Sequence, residues 1–280
     1  MDLTEDHVSD SVMENVDIIF HLAACADNNY YPSSISPVDR KVNIEGTGKL
    51  IASAEKASVK KFVFISTVKA MGEGGAHFLD ESSTPHPASS YGRSKLEAEK
   101  LVLDCISMPS CVLRLPIVYG CSDKGNLAKM IRAIHNGRFP PLPEVHNKRS
   151  MVHVEDVIRA AVLAAEKPKS NGQIYLVTDG ETYSTRQIYN WIYNASGRPI
   201  PGWNVPLFIL NTAAKLFDLL EQLFNKKFPF SSEALQKLVG SAWYNNKKIC
   251  EELDFSPKHT LHESLTEIIA VVMRKNKFYF

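Results

Sequence analysis

The sequence predicts an α/β fold: a parallel sheet with helical crossovers, joined to a smaller and mostly helical region. Three observations predict it. Short apolar runs with β-branched members alternate with amphipathic stretches along the first 120 residues. The connections between them are short, which favours right-handed parallel crossovers. Beyond residue 184 the remaining sequence reads as helices.

The first apolar run is VDIIFHLAA, residues 16–24, nearly continuous and suited to a strand buried on both faces. Residues 37–57 read as a helix, with Pro37 at its start and Ile44, Leu50, Ile51 and Ala54 at helical spacing. KKFVFIST, 60–67, is a second buried strand, and the Gly-, Ser- and Pro-rich stretch 71–88 is a loop. A helix follows from about 90 to 107, with Leu96, Leu101 and Val102 turned inward. SCVLRLPIVYG, 110–120, is a third strand that ends in a loop at Pro116. A helix near 126–136 leads into the proline-rich FPPLP at 139–143. SMVHV, 150–154, is a short strand running into a helix over 155–167, and QIYLVTDG, 173–180, is another strand. The final helices span 184–196, 205–224, 231–240 and 262–275. The apolar and aromatic stretch 203–224 reads as lid or core packing rather than as a membrane anchor.

The charge balance narrows the partners. Lys and Arg number 32 against 31 Asp and Glu, with no basic block, so nucleic acid is not an expected partner. The five cysteines (25, 105, 111, 121 and 250) are odd in number and form no CxxC pair. They fit reduced thiols rather than a disulfide framework or a metal site. No apolar run is long enough to span a bilayer, and the opening MDLTEDHVSD is acidic rather than signal-like. A cytoplasmic location is expected.

The stretch SSYGRSKLEAEK, 89–100, sets Tyr91 and Lys95 four residues apart at the opening of a helix, hence on one face. A phenol titrates near ~10, and a nearby ammonium favours its phenolate, so the couple can form a proton-transfer unit. The same spacing also arises on ordinary solvated helices. The surroundings favour the chemical reading: the strand before it ends in Ser66-Thr67, an earlier one ends in His21-Leu22-Ala23-Ala24, and Asn43 stands in NIEGT. RLPIVYG and RSMVHVED follow downstream.

In this order these motifs resemble the extended short-chain dehydrogenase/reductase family, which includes nucleotide-sugar epimerases, dehydratases and reductases. The resemblance runs from residue 1 to about 270. FVFISTVKAMGE with YGRSKLEAEK is similar to nucleotide-sugar 4-reductases and 4-epimerases. The resemblance implies a Rossmann-like parallel sheet, N-terminally incomplete, with residues 1–120 as a partial dinucleotide-binding domain. The strand near 173–177 would rejoin it, and 121–280 would form an interleaved, mainly substrate-binding domain. It implies NAD or NADP as cofactor and a homodimer through helices 37–57 and 90–107.

For the site, the resemblance implies that Thr67 hydrogen-bonds the sugar C4 oxygen, with Ser66 as the adjacent hydroxyl. Tyr91 would donate or remove the proton there. Lys95 would hold the nicotinamide ribose and depress the Tyr91 pKa, and Asn43 would fix the neighbouring backbone or a relay water. Cofactor contacts would fall on Asp2 and Leu3 at the adenine end, on Leu22, Ala23 and Ala24, and on Pro116 and Ile117. Asn126 and Arg149 would meet the substrate diphosphate, a task that suits a guanidinium. His21 and His153 read as structural. The reaction implied is epimerisation or reduction at C4 of a UDP-sugar-type substrate. A 3β-hydroxysteroid-type dehydrogenase and a non-catalytic fragment without cofactor remain alternatives.

One family feature has no counterpart. The 280 residues contain no G-x-x-G-x-x-G turn. GEGGA at 72–76 leads into a Pro/Ser loop, and EGTGK at 45–49 lies within a helix. The opening residues match the stretch after the family's third strand, so ~60 residues with strands 1 to 3 are expected to be missing. The strand at 16–24 should then be a sheet edge, and cofactor binding should be weak.

Overall fold

The computed structural model describes residues 3–4, 12–26, 33–75, 77–224 and 230–275. The chain divides into two compact units. The first comprises 1–118, 152–180 and 243–258, and the second 119–151, 181–242 and 259–280.

The first unit is built on a four-stranded parallel sheet in the order β1-β2-β3-β6. These strands are β1 (Ile18–His21), β2 (Lys61–Thr67), β3 (Ser110–Leu115) and, after β4 (Ile117–Tyr119) and β5 (Met151–His153), β6 (Gln173–Leu176). Residues 173–176 therefore return to pair with β3, Cys111 opposite Gln173. The central strands β2 and β3 are apolar on both faces, and Phe62, Val63, Phe64, Val112 and Leu113 are wholly buried. β1 departs from the pattern read in its sequence. It lies at the edge of the sheet, as the resemblance implied, but it is not buried on both faces: Ile18 and Phe20 are exposed on one face while His21 is buried on the other. An apolar run specifies a strand but not how many of its faces are covered.

Between β1 and β2 a helical run begins as α1 (Pro37–Asp39), capped by the Ser36 side chain, and passes through a π-helical segment (Arg40–Glu45) into α2 (Gly46–Lys56). Gly46 is required by a close approach: a Cβ there would stand 2.9 Å from the Leu3 Cβ. α3 (Ser90–Asp104) connects β2 to β3, its N-terminus capped by Ser89 accepting from the Gly92 N–H at 3.0 Å. The buried face of α3 matches the expected one only in part, through Val102. Leu101 is exposed, and the inward stripe is Ser94, Lys95, Ala98, Glu99 and Val102. Lys95 and Glu99 are satisfied there by partners on the sheet, and Ser94 by Asn43 and the Tyr91 carbonyl. The third strand ends at Leu115, where Pro116 interrupts the ladder before β4. α5 (Val154–Glu166) packs on β2 and β3, capped by the His153 ring accepting from the Glu155 N–H.

The second unit holds α4 (Gly125–His135), α6 (Thr185–Ala195), α7 (Leu207–Phe224), α8 (Ser232–Val239) and α10 (Leu261–Lys275). α10 packs against α4 and α6, and α7 against α8 around Leu142, Leu210, Ala214 and Leu235. α9 (Lys247–Leu253) has no counterpart in the sequence reading and belongs to the first unit, against β6. Its seven residues are too few to show a helical period. Among the described residues, no helix is long and apolar enough to cross a membrane.

Candidate active site

The carboxyl ends of β1 and β2 and the first turns of α3 bring the candidate residues of the first unit together. Thr67 closes β2, and its Oγ1 accepts from the Lys69 N–H at 3.3 Å, capping a 3₁₀ turn over Val68–Ala70. α3 packs on that turn. Gly92 makes the approach possible, because a Cβ there would lie 2.3 Å from the Lys69 carbonyl oxygen. The contact carries the half-buried Tyr91 against the turn, with the Lys69 Nζ 5.8 Å from the centre of its ring.

Lys95, one helical turn on, is 1 % exposed. Its Nζ donates to the Ile65 carbonyl at 2.9 Å and lies 3.9 Å from the Phe64 ring centre, so it is fixed to β2 two residues before Thr67. Burial lowers its pKa to about 8, opposed by the Glu99 carboxylate. The expected lowering of Tyr91 by Lys95 is not found. Burial and, second, the Asp39 carboxylate push the Tyr91 phenol above its ordinary value. Tyr91 therefore holds its proton at neutral pH.

Asn43 acts as a clasp. Its Oδ1 accepts from the Cys25 N–H at 2.8 Å, and its Nδ2 donates to the Cys25 carbonyl at 2.7 Å and to Ser94 Oγ at 2.9 Å. It thus holds the backbone just beyond Leu22, Ala23 and Ala24 to α3. Those three residues are exposed at the carboxyl end of β1, Leu22 at 64 %. His21 is structural: its Nε2 bonds Thr47 Oγ1 at 2.9 Å and its ring packs on Phe62 and Phe64. Burial, then the Lys95 charge, lowers its pKa to about 4.

Several expected site residues have other partners. The buried Ser66 hydroxyl donates to Glu99, on the strand face opposite Thr67, because neighbouring strand residues alternate. Leu3 packs in the core with Met13 and Leu50, so its side chain is committed there; Asp2 lies outside the described residues. Pro116 and Ile117 are half-buried just past β3. In the second unit Asn126 is exposed in the first turn of α4, while the Arg149 Nη1 donates to the Gly240 carbonyl at 2.7 Å. A cavity of about 670 Å³ in that unit has a polar lining that includes Asn147, Lys148, Gln187 and Asn190 around Trp191.

Two features escaped the sequence reading. Asp39 is fully buried and accepts from Ser90 Oγ, whose oxygen in turn accepts from the Ser36 N–H at 2.8 Å. Glu99 and Arg114 form a buried pair, Nη2 to Oε2 at 2.6 Å with Nε to Oε1 at 3.1 Å, which fixes α3 to β3.

The sequence model described as the NAD dependent epimerase/dehydratase family matches residues 1–178. The chain belongs to that family. Among curated relatives of this family member, a UDP-glucose 4-epimerase of Vibrio cholerae is 30% identical over 275 residues, covering 94% of this chain and 79% of the relative. A 3-beta-hydroxysteroid dehydrogenase of Mycolicibacterium neoaurum is 24% identical, covering 96% and 77%. Among solved structures, the UDP-glucose 4-epimerase of Thermotoga maritima with UDP-glucose shares the fold at a TM-score of 0.73, 24% identical, covering 99% of this chain and 84% of that one. The family is NAD-dependent. In the first unit Lys95, the half-buried Tyr91 and the exposed residues 22–24 lie toward the carboxyl ends of β1 and β2. No Gly-rich pyrophosphate turn occurs among these 280 residues.

Proposed function

We propose that this family member is an epimerase or reductase acting at C4 of a nucleotide-activated sugar of the UDP-sugar type. The observation that carries the reading is Tyr91, held against the turn that follows Thr67, with Lys95 fixed one helical turn away on the Ile65 carbonyl. NAD, when bound, supplies hydride acceptance and return at carbon. The chain's own residues handle the oxygen. The Thr67 hydroxyl accepts from Lys69 N–H and keeps its own proton to donate, which orients a C4 oxygen. Tyr91, protonated at neutral pH, delivers its proton to that oxygen as the carbonyl is reduced. In the oxidative direction Tyr91 must first lose its proton, and the cation one helical turn away is Lys95, held on the Ile65 carbonyl. Lys95 would also hold the ribose hydroxyls.

The polar cavity of the second unit supports a polar substrate. The five unbridged cysteines support a cytoplasmic location, and exposed Val38 and Leu101 support pairing of two copies through helices 37–57 and 90–107. A 3β-hydroxysteroid-type dehydrogenase is the second reading, favoured by the exposed apolar residues of α7.

The test is calorimetric titration with NADH followed by turnover of UDP-sugars, with Tyr91→Phe as control. Turnover that falls by roughly 10²–10⁴-fold in the variant supports the reading. Thermal stabilisation by a steroid and not by UDP would assign the second one. Absence of NADH binding would leave the catalytic residues without a cofactor and reject both.

A further inference from the structure

The cavity of about 670 Å³ in the second unit is formed largely by one face of α6. Gln187, Asn190, Trp191 and Asn194 recur at steps of three, one and three, so they share that face. Every lining residue lies in the second unit, and none belongs to the group around Tyr91.

The wall holds a polar atom with nothing to bond. The Asn190 Oδ1 is buried and has no hydrogen-bond partner among the described residues. Such an acceptor bears a desolvation cost that no contact within the chain offsets. Its neighbours are differently placed. Gln187 Oε1 accepts from the Ser184 N–H at 3.4 Å in the cap of α6, which leaves its Nε2 as the group for the cavity. Buried Asn147 donates to Thr185 Oγ1 at 3.1 Å and to the Gly240 carbonyl at 3.0 Å, and accepts from the Thr185 N–H at 3.0 Å, so it shapes the wall. The half-buried Trp191 indole is held from two sides, edge-on to the Tyr183 ring at 5.8 Å and tilted against His262 at 4.6 Å.

The lining selects a ligand class. Apart from His146 its ionisable groups are Glu144 and Lys148, of opposite charge, so it has no net attraction for a phosphate or a cation. The apolar lining is confined to Trp191 and Ile200, and a hydrocarbon would leave the amides unpaired. The amides at 187 and 194 stand about 10 Å apart along the helix axis, so their partners must be spread around a ligand. A nucleobase concentrates its polar atoms along its edges. The hydroxyls of a pyranose point outward all round, each able to donate and accept, and its C–H face suits the negative face of an indole.

We propose that this cavity binds a neutral saccharide, with a pyranose ring on the Trp191 indole, one hydroxyl donating to Asn190 Oδ1 and another accepting from Gln187 Nε2. The assignment rests on residues of the second unit alone and not on the catalytic reading. The probes are methyl α-glucopyranoside, methyl β-galactopyranoside and maltose, none of which carries a diphosphate. Ligand-observed NMR titration of the full chain should show saturable binding of at least one. Asn190→Leu should weaken that binding roughly tenfold or more and melt no lower than the parent, because it removes an unpaired acceptor rather than a structural bond. Asn194→Ala, at an exposed position near the helix end, should weaken it several-fold at the parental melting temperature, and decides alone if Asn190→Leu fails to fold. Absence of binding by all three probes, or parental affinity in a folded Asn190→Leu, would overturn the proposal. So would uridine binding that Asn190→Leu weakens while no glycoside binds, an outcome that assigns the cavity to a nucleoside. Tyr91→Phe should bind the glycosides as the parent does, while its UDP-sugar turnover reports on the catalytic reading separately.

Discussion

Ser90 Oγ donates a hydrogen bond to the fully buried Asp39 carboxylate, one residue before Tyr91 in the first turn of α3. The acid thus anchors the helix end that carries Tyr91 and sets the field around it. A carboxylate disfavours a neighbouring phenolate, and Asp39 is the second cause, after burial, of the raised Tyr91 pKa. Asp39→Asn should therefore move the Tyr91 titration to lower pH. Carbon-13 tyrosine NMR, with Tyr91→Phe to assign the resonance, reads this without substrate. An unmoved Tyr91 titration would refute the field argument.

The Glu99–Arg114 pair makes a different kind of prediction. Both side chains are nearly inaccessible, and Glu99 also accepts from Ser66. Removing one partner strands a buried charge, so Glu99→Leu should cost about 3–5 kcal/mol in denaturant unfolding. The double change Glu99→Leu/Arg114→Met should recover most of that loss. A double variant no more stable than the single one would show that the pair contributes more than charge compensation.

His21 links stability to pH. Its folded pKa is about 4 against an ordinary 6.5, so between these values the unfolded chain binds a proton that the folded chain refuses. The stabilisation is full above pH 6.5 and is lost as pH falls toward 4, amounting to about 3 kcal/mol for this one group. His21→Gln should flatten the fall in unfolding free energy across that window. Parallel pH profiles for the two proteins would be the contrary result.

Gly92 tests how tightly Tyr91 is placed. Any Cβ at this position meets the Lys69 carbonyl oxygen at 2.3 Å, a backbone atom that cannot swing aside. Gly92→Ala should lower stability by roughly 1–3 kcal/mol, as overpacking does. It should also reduce kcat more than KM, because it displaces the tyrosine rather than a binding surface. A variant with parental kcat would mean that the turn at Val68–Ala70 adapts.

Much of this was legible in the sequence, for identifiable reasons. β2 and β3 are buried on both faces, and their unbroken apolar runs say so. Tyr91, Lys95 and Thr67 fall at element ends, where chain direction alone brings side chains to one end of a parallel sheet. The edge position of β1 followed from the resemblance, but its apolar run did not show which face is covered, because burial of an edge depends on what lies beside it. The inner face of α3 was legible only in part. Apolar periodicity pointed to Leu101, whereas Lys95 and Glu99 are buried through partners contributed by β2 and β3. The different surroundings of Ser66 and Thr67 were not legible for a related reason: two adjacent hydroxyls look alike in sequence, and only the strand's pleat separates them.

The π-helical segment at Arg40–Glu45 has a consequence for phase. Gly46 N–H reaches back to the Lys41 carbonyl, five residues rather than four, so the run holds one residue more than a regular helix of the same pitch needs. Deleting one residue would restore the ordinary ladder. It would also rotate everything upstream by about 100° relative to α2. Asn43 could then no longer face Cys25 and Ser94 while Thr47 and Leu50 keep their inward orientation. Among relatives, a length change at this point would mark a rebuilt loop after β1, and chain length here acts as a determinant of the site as surely as residue identity does.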